Sequence, residues 1–132
     1  MLLSAVVGAF AANAIEARAA GFLVSLDDIP TPAELVETPG AALAFEGREG
    51  RILLTRASGA ATPATVAQFY ATALPSLGWA RDIDAEQAPG AASALAFIRG
   101  RERLVVSIQD QPTGGSEVRY RLVIAPAAPA AD

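Results

Sequence analysis

The sequence predicts an α+β fold: a single antiparallel sheet of five to six strands with one main helix packed on one face, in the order β-β-α-β-β-β-β. Two observations lead there. Segment 62–79, TPATVAQFYATALPSLGW, has a helical period, with Val66, Phe69, Tyr70, Ala73, Leu74 and Leu77 recurring at steps of three and four. Around it lie short apolar runs, several with period two, separated by glycine-bearing turns. A helix with one apolar stripe must bury it against something, and a sheet with one dry face supplies that surface.

Composition narrows the function classes before any element is placed. With 132 residues there is room for one domain, and net charge −4 gives no bulk positive field to attract nucleic acid. The chain contains no His and no Cys, and all ten of its basic residues are Arg. That removes the commonest general base, thiol nucleophiles, disulfides and lysine Schiff-base chemistry, so the expectation is a non-enzymatic protein without cofactor or metal.

Taken in order, residues 1–20 begin with an apolar run of 14 residues, LLSAVVGAFAANAI, the length of a signal-peptide core and short for a membrane span. Ala12-Asn13-Ala14 and Ala17-Arg18-Ala19 follow it as Ala-x-Ala cleavage patterns, with a cut near Ala19 or Ala20 favoured. Residues 1–20 are therefore expected to be a signal peptide, leaving no stable membrane span after cleavage. Residues 21–40 carry Pro30, Pro32 and Pro39 and read as a proline-rich N-terminal arm, with Ile29, Leu35 and Val36 covering a sheet edge or helix flank. Its adjacent acids Asp27 and Asp28 lack further spaced oxygen ligands and read as solvated loop acids rather than a metal site.

The domain proper is expected at 41–125. Segments 42–46 and 51–57 form a hairpin about Gly47-Arg48-Glu49-Gly50. Thr62 is a candidate N-cap, Pro63 suits the first helical position and Gly78 a left-handed close, whereas Pro75 should end or kink the helix in its last turn. Strands are expected at 79–83, 94–98, 104–109 and 118–124; the last two alternate most cleanly and should pair. The tail, 126–132, has nothing to bury and reads as disordered.

Three constellations bear on function. Arg103, Arg119 and Arg121 fall on the wet face of neighbouring strands, with Arg99 and Arg101 at the adjacent turn, a set suited to carboxylates or phosphates of an acidic partner. Tyr70, Trp79 and Phe97 would line any pocket between helix and sheet, or else pack as core. Asp82, Asp84 and Glu86 share one face if the segment is a strand, but nothing near them raises a pKa toward acid–base work.

One likeness adds to this. Asp27-Asp28-Ile29-Pro30, the Gly50-Arg51-Ile52 step, the FYATALPSLGW run from Phe69 and the Phe97-Ile98-Arg99-Gly100 step through Leu104 form a DDIP … FYxxxLPxxGW … FxRGxxL pattern. It resembles uncharacterised small exported proteins of alphaproteobacterial type. The resemblance implies export and a compact single domain, and nothing about a substrate. The combined expectation is a periplasmic or secreted interaction or accessory module with a protein partner in the cell envelope. The alternative is a carrier of small apolar ligands.

Overall fold

Thr62 opens helix α1 (Pro63–Ala73) as its sequence suggests: its hydroxyl accepts from the Thr65 N–H at 3.2 Å, and Pro63 occupies the first turn. The computed structural model describes residues 19–87 and 94–127. Pro75 has no N–H to continue the ladder, so the chain tightens after Leu74 into a 3₁₀ turn, Pro75–Leu77, closed by Gly78 at φ 95°. The helix is therefore bent, and its stripe stops early: Val66, Phe69, Tyr70 and Leu74 are buried, but Leu77 is 41% exposed. Full burial of each of those four is worth about 1.5–3 kcal/mol.

The strands that receive this face are β5 (Gly50–Gly59), β7 (Ala94–Arg99), β8 (Glu102–Asp110) and β9 (Ser116–Ile124). Together with β3 (Leu35–Glu37), β4 (Leu43–Gly47) and β6 (Ala80–Arg81) they make a seven-stranded antiparallel sheet ordered β3-β5-β9-β8-β7-β6, with β4 also pairing β5. Register puts Phe97, Leu104, Leu122 and Leu53 in one row, and Val106 opposite Tyr120. These residues, with Val118, Ile108 and Ala57, form the face against α1. Period two sends their neighbours to the other side.

Among the described residues the sheet has seven strands, not five to six, because the arm contributes one. β3 is three residues long, too short to show a period, and pairs with the Ala57, Ser58 and Gly59 end of β5. Gly59 permits this approach: a Cβ there would overlap the Glu34 carbonyl oxygen. The rest of the arm forms a separate two-stranded sheet, β1 (Ala19–Phe22) with β2 (Pro30–Pro32). Its connecting turn buries Leu23, Leu26 and Ile29 in the common core beside Leu35. Val36 alternates outward and is 71% exposed. The expected strand at 79–83 is also shorter, since Asp82 accepts from the Ala85 N–H at 3.2 Å and caps a single helical turn, α2 (Ile83–Glu86). Residues 1–18 of the expected signal peptide and 128–132 of the expected tail lie outside the described residues.

Two side chains lock the arm down. The Tyr70 hydroxyl donates to the Pro30 carbonyl at 2.7 Å and is 2.7 Å from the Tyr120 hydroxyl. Tyr70 has one proton and spends it on Pro30, so Tyr120 donates to Tyr70. Burial pushes both phenols up, keeping them protonated. Glu37 accepts from the Val24 N–H at 2.6 Å and the Thr55 hydroxyl at 2.7 Å.

Burial by itself would raise the Glu37 pKa, but hydrogen bonds from the Thr55 and Ser25 side chains and from the Val24 and Ser25 amides outweigh it and hold the carboxyl below its ordinary 4.5. A carboxylate depressed in the folded state adds stability above its unfolded pKa and loses that contribution as pH falls through the folded value. Urea denaturation across pH 3 to 6 is thus expected to show wild-type stability falling on the acid side. Glu37→Gln, which cannot titrate, should lower stability near neutrality and flatten that acid limb.

Candidate functional site

The side of the sheet turned away from α1 carries the surface of interest. Its residues follow from register in three rows across the strands. Phe45, Ile52, Val123, Arg103 and Ile98 make one row; Leu43, Leu54, Arg121, Val105 and Ala96 the next; Arg56, Arg119, Ser107 and Ala94 the third. Apolar side chains dominate at the β4–β5 flank, where Leu43 is 55% and Phe45 48% exposed, and arginines occupy the centre.

Of the five arginines in the expected partner-binding set, the three expected on the wet face of the strands are there. Arg103, Arg119 and Arg121 lie on β8 and β9 as alternation requires, joined by Arg56 from β5. Arg56 and Arg119 are directly opposed, a like-charge pair tolerated because Glu117 lies between them, 3.5 Å from Arg56 and 3.6 Å from Arg119. Asp82 sits 3.5 Å from Arg103. Arg121 has no carboxylate within ion-pair distance among the described residues, and its cross-strand neighbours are Leu54 and Val105.

Arg99 departs from the expected patch. Its odd position on β7 sends it to the helix side, where its guanidinium stacks 4.2 Å from the Trp79 ring centroid and pairs with Glu102 at 2.8 Å and with Asp28 of the arm. Arg99 is thus a structural clasp between sheet, helix end and arm, and these contacts raise its pKa, chiefly through Glu102. Arg101, in the β7–β8 turn, donates to the Ala125 carbonyl at 2.6 Å and borders the end of the outer face.

Two linked depressions mark the outer face. One, of about 310 Å³, is bordered by Glu49, Asp82, Arg103, Val105, Arg121 and Val123; the other, of about 380 Å³, by Leu43, Leu54, Arg56, Val105, Arg119 and Arg121. They meet at Val105 and Arg121.

Tyr70, Trp79 and Phe97, which would line any pocket between helix and sheet or else pack as core, are all buried within the core cluster. Phe69 packs edge-on against Tyr70 at 4.9 Å between ring centroids, and Tyr70 against Tyr120 at 5.9 Å. Their role here is packing. The Trp79 indole N–H finds no acceptor among the described residues.

The acids at 82, 84 and 86 do not share a strand face, because α2 replaces the strand. Asp82 is a cap, and Glu86 holds Arg81 through two bonds of 2.7 Å while accepting from the Ala96 N–H at 2.9 Å. The bond from Arg81, opposed by burial and helped by Ala96, keeps the Glu86 carboxyl below its usual range, the opposite of what a general acid needs. Among the described residues no cluster of three or more acidic side chains is arranged to hold a metal ion, and no helix is long and apolar enough to cross a membrane.

Arg56 and the apolar flank were missed by sequence reasoning for one reason: RILLTRA places apolar residues on both faces, so its alternation does not say which side is wet. The available signal was the pairing partner, Arg119, whose own strand alternates cleanly. Comparison of the chain with protein-family models, curated proteins and solved structures finds no match.

The division between clasp and surface arginines is measurable. Arg99→Ala should cost about 1–2 kcal/mol in urea denaturation, through lost stacking on Trp79 and lost pairing. Arg121→Ala should stay within about 0.5 kcal/mol of wild type.

Proposed function

We propose that this protein is an exported, non-enzymatic interaction or accessory module of the cell envelope, and that its working surface is the outer sheet face. The observation that carries this reading is the contrast between the two faces of one sheet. The inner face is packed by α1 and the arm, whereas the outer face gathers Arg56, Arg103, Arg119 and Arg121 among exposed apolar side chains in a chain of net charge −4. Arginine clusters with apolar surroundings suit recognition of carboxylates in a partner's surface, since the guanidinium is weakly hydrated and binds carboxylates bidentately. The absence of His, Cys and Lys from the whole sequence supports a binding role over catalysis. Export rests on the apolar leader with its Ala-x-Ala steps and on the resemblance to small exported proteins.

Affinity capture from the native envelope, with N-terminal sequencing of the recovered protein, tests both parts. The expected result is a protein lacking the leader, bound to a partner that is lost when Arg119 and Arg121 are both changed to Glu. Recovery from the cytosol with Met1 retained would overturn export, and a partner retained by the double variant would overturn the assignment of the face.

A further inference from the structure

We infer that the outer face takes an extended acidic segment of a protein partner, in which two carboxylates at alternate residues are followed two residues on by an apolar side chain. This deepens the reading above and rests on it. The order comes from β9, whose outward residues are Glu117, Arg119, Arg121 and Val123 in succession, at the two-residue repeat of about 7 Å that an extended peptide shares; Glu117 is taken up by Arg56 and Arg119, so the row offered to a partner is Arg119, Arg121 and Val123. A segment laid along β9 presents every second side chain downward, so acid, acid and apolar residues match Arg119, Arg121 and Val123.

Arg121 is the central contact. It borders both depressions, and Leu54 and Val105 on either side form an apolar floor for the rest of the segment. Arg56, Arg103 and Arg119 already have Glu117 or Asp82 within 3.6 Å, whereas Arg121 has no such acid among the described residues. A carboxylate from outside therefore meets a guanidinium that does not first have to leave an internal partner. Arg56, Arg103, Arg119 and Arg121, with Arg101 at the rim, outnumber Glu117, Asp82 and the rim acid Glu49, which leaves the face positive on a negative molecule and favours an acidic segment.

Other ligand classes fit less well. The depressions are partly open to solvent rather than enclosed, unlike sites that bury most of a small molecule. Inorganic phosphate would leave the apolar floor unused. An anionic membrane would be repelled by the net negative charge of the rest of the chain.

The test is fluorescence anisotropy of a short labelled peptide carrying Glu-x-Glu-x-Leu, titrated with the intact protein. Saturable, salt-sensitive binding is expected, weakened about tenfold or more by Arg121→Ala and by Leu54→Ser, and absent for the Gln-x-Gln-x-Leu peptide. Arg121→Lys, which keeps charge but loses the planar fork, should bind between wild type and Arg121→Ala, and it serves if the alanine variant fails to fold. No saturable binding, equal binding of the Gln peptide, or indifference to Arg121 would overturn the inference. So would phosphatidylglycerol vesicles that bind and displace the peptide. Failure here with an envelope partner still lost on Arg119 and Arg121 reversal would discard the peptide chemistry alone; loss of both would remove the module reading as well.

Discussion

Three separate pieces of the chain meet at the Tyr70 hydroxyl. It sits on α1, donates to Pro30 of the arm and accepts from Tyr120 of the sheet, all without exposure to water. A buried phenol left without partners would cost about 1–3 kcal/mol, so the oxygen requires helix, sheet and arm to be in register together. Apolar packing around it is not directional, but the hydrogen bonds are. They select the placement in which Ile29, Phe69, Leu74, Leu104 and Val106 share one interior.

That interior draws on the arm as well as the helix, and Tyr70, Trp79 and Phe97 are buried within it. Among the described residues the outer face is reached by α2 only at the β7 flank, where Ala96 is buried, and it exposes Arg119 and Arg121 at its centre. Its alternation places arginines where solvent screens them and leaves apolar residues of β4 and β5 beside them. The two faces of a single sheet thus differ: one is packed into the interior, and the other exposes arginines at its centre. Arg99 illustrates the division from the other side, since one residue's phase on β7 converts a surface charge into a clasp over Trp79.

Much of the architecture was legible because it depends on local signals. Thr62, Pro63, Pro75 and Gly78 punctuate the helix in sequence, and the alternation of β8 and β9 survives intact into their pairing. What escaped reading depends on partners distant in the chain. β3 has three residues and exists through Gly59; β6 is cut short because Asp82 turns to cap α2; Val36 faces outward once β3 is placed. The arginine set was readable for Arg103, Arg119 and Arg121, whose strands alternate. It was not readable for Arg56, on a strand apolar on both sides, or for Arg99, at a strand end where the turn obscures the phase.

Helix, sheet and arm close one interior through Tyr70. Tyr70→Phe, which keeps the ring and removes the hydroxyl, is its most direct test, read by urea denaturation together with amide hydrogen exchange. The expected result is a loss of about 1–3 kcal/mol, with the Leu23 and Ile29 amides of the arm exchanging faster than in wild type. Unchanged stability and unchanged protection of those amides would contradict it.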